Sequence, residues 1–93
     1  MELIGGNIME TIKSKFLVET VDYHIEDYTF YNDIKFFEDF ESAKNFYENE
    51  IKRKIEELKF EEYTEKEVKT DSKIVTYLLS NCQKVNISFY IIP

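Results

Sequence analysis

The sequence has few of the residues that build tight turns, disulfides and phosphate loops. Its only two glycines, Gly5 and Gly6, and its single proline, Pro93, lie at the ends of the chain. No glycine-rich loop is therefore available to hold a phosphate group. The single cysteine, Cys82, excludes an internal disulfide, which is typical of a protein in a reducing compartment.

Histidine is equally scarce, and this limits the chemistry open to the chain. The one histidine, His24, begins the tripeptide "HIE", but the P-C-x-x-C partner of the zinc-deaminase signature is missing. The acids Asp22, Glu26, Asp27 and Asp33 do not follow the spacing of an EF-hand, which also needs a loop glycine. We therefore expect a protein that is not an enzyme, with no catalytic residue, no metal and no cofactor.

Long apolar runs are absent as well, both at the N-terminus and along the chain. The 93 residues provide one core, and 43% of them are hydrophobic, which argues against disorder. The two glycines suggest a flexible leader over residues 1–10, followed by a single domain over residues 11–93. With neither a signal peptide nor a membrane span in the pattern, we expect a soluble protein in the cytoplasm of a bacterial host cell.

Net charge is distributed very unevenly. Residues 19–41 hold eight carboxylates and one lysine, whereas the acids and bases of the remaining residues balance, so the whole net charge of −7 lies in this stretch. The same region is rich in aromatic rings. Charge of one sign concentrated on part of a surface indicates a partner of the opposite sign more strongly than a uniform excess does.

Two strands are predicted before the middle of the chain. Alternation in "IKSKFLVETV" (residues 12–21) is typical of a strand, and "YTFY" (residues 28–31) consists of residues that favour a second one. A turn must lie within residues 22–27, but no glycine or proline fixes its type or the register of the strands.

An amphipathic helix is the clearest pattern in the sequence. Apolar side chains recur every three or four residues, at Phe40, Ala43, Tyr47, Ile51, Ile55 and Leu58. Asp39 is placed to cap the helix, and its charge suits the N-terminal end of the dipole. Lysines, arginine and glutamates at i,i+4 spacing indicate a solvated opposite face. Phe46 falls off the stripe, either under the acidic stretch or exposed.

Three further strands follow the helix. Residues 61–70 alternate polar side chains, as an exposed edge strand does, and "TDSK" (residues 70–73) predicts a tight turn. "KIVTYLLS" and "VNISFYII" predict two more strands, joined across residues 81–84. The predicted fold is therefore α+β, a two-layer domain with one amphipathic helix on a mostly antiparallel sheet, in the order β-β-α-β-β-β.

Direct binding of nucleic acid is not expected from this composition. The basic run Lys52-Arg53-Lys54 is interleaved with glutamates on the predicted helix, and the isoelectric point is near 4.7. A protein partner with a basic surface fits the acids better, because complementary charge steers such encounters.

The predicted binding surface lies in the acidic stretch. Tyrosines and phenylalanines of the types that anchor interfaces stand among its carboxylates, including Tyr31 and Phe36, whereas Phe30, Phe37 and Phe40 are assigned to the core. The predicted partner-binding residues are Asp22, Tyr23, Glu26, Asp27, Tyr28, Asp33 and Glu38.

In kind, the chain resembles the small acidic inhibitors of phages and mobile elements, the anti-CRISPR and DNA-mimic proteins. The segments that carry the resemblance are "DYHIEDY" (residues 22–28) and "DIKFFEDFE" (residues 33–41), together with the small size and α+β pattern. The resemblance implies a stoichiometric inhibitor that binds a basic, nucleic-acid-handling host defence protein, with a CRISPR effector as the favoured partner.

Three alternatives stay open at this point. The chain could be a homo-oligomeric accessory or assembly protein of a phage or mobile element, pairing as a homodimer through residues 61–70 or the terminal "FYIIP". It could bind a small ligand or a cation. It could also be an enzyme built on Cys82 and His24, which requires their side chains to lie within hydrogen-bond reach.

Overall fold

A computed structural model describes residues 14–58 and 61–92. The leader predicted for residues 1–10, the first two residues of the first predicted strand and the terminal proline lie outside these described residues. The elements are β1 (Phe16–His24), β2 (Thr29–Phe37), α1 (Phe40–Glu57), β3 (Tyr63–Lys69), β4 (Lys73–Ser80) and β5 (Gln83–Ile91). The predicted α+β class and element order are confirmed.

The five strands form one antiparallel sheet in the order β2-β1-β5-β4-β3. Strands β2 and β3 are therefore the two edges, and the edge strand predicted for residues 61–70 is confirmed. Strand β1 pairs with both β2 and β5, with Val18 opposite Lys35 on one side and Phe89 on the other. Helix α1 lies across one side of the sheet, over β1 and β5.

The core forms between α1 and the sheet because alternate strand residues point at the helix. Ala43, Tyr47 and Leu58 of the predicted stripe are buried against Val18 and Ile87, together with further residues of the sheet. The hydroxyl group of the buried Tyr47 forms a 2.7 Å hydrogen bond with the hydroxyl group of Thr76, so both polar groups are paired.

Local signals in the sequence mark the ends of these elements correctly. Asp39 caps α1, since its carboxylate accepts a 2.9 Å hydrogen bond from the backbone N–H of Ser42, and this bond lowers the pKa of Asp39. The turn predicted at residues 70–73 is present, where the N–H of Thr70 donates to the carbonyl of Lys73 at 2.8 Å.

Four side chains lie where the sequence did not predict them. Phe30, predicted in the core, is 64% exposed, because it belongs to an edge strand and points away from the helix. The ring centroid of Phe40 lies 5.8 Å from those of Phe16 and Phe89, yet half of the side chain stays exposed. Glu50 and Lys54, predicted on a solvated helix face, are both buried.

The second strand is also longer than predicted. It runs from Thr29 to Phe37, so Asp33 to Phe37 is an extended edge and not a loop leading to the helix. Phe37 is half-buried with its ring 5.4 Å from that of Phe46, which places Phe46 under the acidic stretch, one of the two predicted positions.

Candidate partner-binding surface

The turn between β1 and β2, residues 25–28, is where three of the predicted binding residues come together. Glu26, Asp27 and Tyr28 are all exposed there. The turn is attached to the neighbouring β4–β5 turn, since the N–H of Ile25 donates to the carbonyl of Cys82 at 2.8 Å and the Cys82 thiol donates to Glu26 at 2.9 Å. Two acids and a ring are therefore presented from an anchored position.

Tyr28 has an unusual backbone for a large side chain. Its φ is 57°, in the left-handed region, and it is the only residue other than glycine with a positive φ among those the structure describes. A β-carbon makes this conformation unfavourable by about 1–2 kcal/mol, and glycine or asparagine is the usual occupant. The side chain is 81% exposed, so it contributes little packing to the fold.

Asp22, in contrast, is not available to a partner. It is 3% exposed, and its carboxylate accepts hydrogen bonds from Lys54 Nζ at 2.7 Å and from Gln83 Nε2 at 2.8 Å. His24 Nε2 lies 3.3 Å from the same carboxylate. Alternation along β1 explains this burial, because Asp22 shares the helix side with Val18 and Thr20. Its charge is used inside the protein, between β1 and α1.

The other predicted residues are spread along the hairpin and do not form one cluster. Asp33 is half-buried on the helix side of β2, and Tyr23 is half-buried on the opposite side of the sheet. Glu38 follows the far end of β2, about 30 Å from the turn at about 3.4 Å per residue. This separation exceeds the ~8 Å Debye length at physiological ionic strength, so the turn and Glu38 act as separate charges.

The structure adds exposed apolar side chains that the sequence did not place on this surface. Phe30, Tyr31, Ile34 and Phe36 are all exposed along β2. The period-2 pattern that reveals them extends through Phe37, but the predicted strand ended at Tyr31. The candidate binding surface is therefore the turn residues Glu26, Asp27 and Tyr28 together with the exposed edge of β2, and we call it the hairpin surface.

A buried polar network fixes the position of the hairpin relative to the helix. Glu50 on α1 accepts a 2.8 Å hydrogen bond from Thr20 and a two-pronged interaction from Arg53, at 2.9 and 3.1 Å. Burial tends to raise the pKa of Glu50, but these hydrogen bonds outweigh it, and the pKa lies below its usual value. Arg53 also donates to Glu57 at 3.1 Å.

A cleft of about 490 Å³ lies between this network and the start of β2. Its lining includes Asp22, His24, Thr29, Arg53 and Lys54. The carboxylate of Asp22 lies beside the imidazole of His24, as in catalytic pairs where a carboxylate orients a histidine. Here, however, Lys54 and Gln83 already donate hydrogen bonds to Asp22. The arrangement is that of a structural ion-pair network.

The chemistry of Cys82 does not favour a nucleophile. Its thiol donates to the carboxylate of Glu26, and this hydrogen bond raises the pKa of Cys82 to about 11. A reactive cysteine needs a lowered pKa, because the thiolate is the attacking form. The imidazole of His24 is engaged with Asp22 instead.

The described residues contain neither a metal-binding cluster nor a helix suited to cross a membrane. Across residues 14–58 and 61–92, no set of three or more histidine, cysteine, aspartate and glutamate side chains is arranged to hold a metal ion. Within the same residues, no helix combines the length and the apolar character needed to cross a membrane.

Comparisons with protein-family models, with curated proteins and with solved structures find no match to this chain. The class that the coordinates define is an α+β domain with a five-stranded antiparallel sheet and one helix. Function has to be argued from the hairpin surface itself.

Proposed function

We propose that this chain is a non-enzymatic, stoichiometric inhibitor that binds a basic surface of a nucleic-acid-handling protein through the hairpin surface. The observation that carries the proposal is Tyr28, a ring held almost fully exposed in a strained backbone conformation between acids and an exposed edge strand. Residues in sparsely populated backbone conformations cluster at functional sites, and the exposed ring of Tyr28 is accessible to a partner.

The hairpin surface offers the two kinds of contact that such a partner uses. Glu26 and Asp27 supply negative charge next to Tyr28, and carboxylates of this kind steer association with a basic groove. Exposed rings beside them supply the anchors that carry most of the binding energy in protein interfaces. A channel that normally holds phosphates has the charge to accept the acids, so a CRISPR effector in a bacterial cytoplasm is the first target to test.

Charge reversal at the turn tests this proposal. The double variant Glu26→Lys/Asp27→Lys changes both exposed acids of the turn, and Asp22 is left intact because its reversal would break the fold. The matched control is Glu48→Lys/Glu67→Lys, which changes the net charge equally at exposed positions of α1 and β3. Cleavage of target DNA by purified guide-loaded CRISPR effectors is measured with each protein added in equimolar amount.

The wild-type protein and the control variant are expected to inhibit cleavage, and the turn variant is expected to lose inhibition. Raising the salt concentration should weaken the complex as the Debye length falls from about 8 Å toward about 3 Å. Equal inhibition by both variants would reject the role of the turn. Undiminished cleavage by every effector tested would reject this class of target.

The alternative of a homo-oligomeric accessory protein draws support from a surface that overlaps the hairpin surface at the edge strand β2. The sheet side opposite α1 exposes Phe30, Ile34, Tyr77 and Leu79. Exposed apolar side chains gathered on one side of a domain are typical of an interaction surface.

A further inference from the structure

Helix α1 covers only one of the two sides of the sheet. Val18 and Thr20 point at the helix, so the intervening residues of β1 and their neighbours on the other strands point away from it. We call this second side the open face. Its exposed apolar side chains come from both edges and from β4: Phe30, Ile34, Phe36, Val68, Tyr77 and Leu79.

The open face is large enough to form a stable interface. Five strands about 4.8 Å apart and about eight residues long give a face of roughly 24 by 27 Å, or about 650 Å². Two such faces packed together remove about 1,300 Å² from solvent, within the range of about 1,200–2,000 Å² for specific complexes.

Charge on the open face differs from that of the rest of the chain. It carries Lys66, Lys73 and Lys84 against Glu19 alone, although the chain as a whole has a net charge of −7. Each lysine lies on the edge strand β3 or at the end of its strand, where its long side chain reaches solvent at the rim of a packed interface, so none of the three charges has to be buried.

The strand register makes the open face complementary to itself. A two-fold axis across the strands places each strand against its own copy in reverse, with Phe30 facing Phe36. The same operation sets Lys84 against Tyr90, a cation facing a ring, and sets Glu19, which accepts a 3.1 Å hydrogen bond from Asn32, against Val21, so no like charges are paired. Aligned packing of two sheets at about 30° is compatible with this pairing.

From the area, charge and register together, we propose that the open face is a homodimer interface in which a second copy of this chain packs sheet against sheet. The inference depends on the open face and not on the acids of the turn. Aliphatic side chains such as Ile34 and Val68 separate the rings, which suits a packed protein interface better than a stacking platform for nucleotide bases.

Sedimentation of the full chain over a dilution series tests this proposal. We expect the wild-type protein to sediment with twice the chain mass of 11.2 kDa. Ile34→Glu/Tyr77→Glu would bury two carboxylates in the interface and should give the single-chain mass with an unchanged circular dichroism spectrum. The control Tyr31→Glu/Asn45→Glu adds the same charge at exposed positions outside the open face and should remain a dimer.

Nuclear Overhauser effects between labelled and unlabelled copies locate the interface without any substitution. Contacts between copies from the methyl groups of Ile34 and Leu79 support the proposal even if the double variant does not fold. If the wild-type protein is a monomer at every concentration, the proposal is wrong. This holds whichever alternative occupant is then found on the open face, residues 1–13 of the same chain or added oligothymidine. A dimer that persists in Ile34→Glu/Tyr77→Glu also overturns it.

Discussion

Lys54 Nζ on α1 lies 2.7 Å from Asp22 Oδ2 on β1, and both side chains are at least nine-tenths buried. This ion pair crosses from the helix to the strand that leads into the acidic turn. Gln83 on β5 donates to the other carboxylate oxygen, so the pair also joins the helix to the centre of the sheet. One acid of the stretch predicted to bind a partner therefore serves the fold.

Removing one member of this pair should be severely destabilising. Asp22→Ala leaves the buried ammonium of Lys54 with only the partly exposed carboxylate of Glu57, at 3.4 Å, and we expect the free energy of unfolding to fall by about 3 kcal/mol, the lower end for a broken buried pair. Urea denaturation measures this change. Asp27→Ala, at an exposed position in the turn, should stay within about 0.5 kcal/mol of the wild type.

A double variant separates the burial of charge from the loss of packing. In Asp22→Ala/Lys54→Met no buried charge is left unpaired, so part of the stability lost in Asp22→Ala should return. A single variant as stable as Asp27→Ala would show that the pair does not hold the helix to β1.

The fold could be predicted from the sequence because its strongest signals are local. The apolar stripe from Phe40 to Leu58, the cap at Asp39 and the turn at residues 70–73 each depend on neighbours within a few residues, and the structure contains all three. The candidate surface could not be predicted as well, because exposure depends on strand order.

Phe30 and Lys54 show why strand order matters. Phenylalanine is typical of a core, yet Phe30 is on the edge strand β2 and its side chain points away from α1. Lysine is typical of a surface, yet Lys54 is buried because Asp22, 32 positions earlier in the chain, supplies its partner. Neither outcome follows from periodicity, since both require the register of distant segments.

Glu50 should make the protein sensitive to acid. Its pKa in the folded protein lies below the usual 4.5, so its ionised form contributes stability above that value and the contribution is lost as the pH falls through the folded pKa. We expect Glu50→Gln to be less stable than the wild type near neutral pH and to lose less stability on acidification. Urea denaturation between about pH 6 and about pH 3 covers this range.

Thr20→Val provides the test of the mechanism. It removes the hydroxyl that donates to Glu50 at 2.8 Å, so the pKa of Glu50 should rise and the acid-induced loss should begin at higher pH. Glu48→Gln, at an exposed position of α1 outside this network, is the control and should leave the midpoint unchanged. If the stability of Glu50→Gln and of the wild type fell in parallel with pH, Glu50 would not be the source of the acid sensitivity.

Cys82 should react slowly with alkylating agents although its thiol is accessible. A pKa of about 11, against 9.0 for an ordinary cysteine, lowers the thiolate population near pH 8 about a hundredfold, and the greater nucleophilicity of the more basic thiolate recovers about tenfold. Glu26→Gln removes the largest cause of this raised pKa, whereas burial and Glu61 still act, so we expect alkylation by iodoacetamide to become faster by less than about tenfold. Mass spectrometry follows the rate, Asp27→Asn is the control, and equal rates in the wild type and Glu26→Gln would contradict the Glu26–Cys82 contact.

Tyr28 should show opposite effects on stability and on binding. Asparagine tolerates the left-handed backbone conformation that Tyr28 adopts at φ 57°, so Tyr28→Asn should raise the free energy of unfolding by up to about 1 kcal/mol. The same change removes the exposed ring from the hairpin surface and should weaken inhibition of the partner. Tyr31→Asn is the matched control for the stability measurement alone, because it replaces an exposed ring on the extended backbone of β2 and should lower stability slightly. Urea denaturation and the cleavage assay report the two effects separately. If Tyr28→Asn were less stable than the wild type, the ring would serve the fold, and the strain at this position would no longer indicate a binding role.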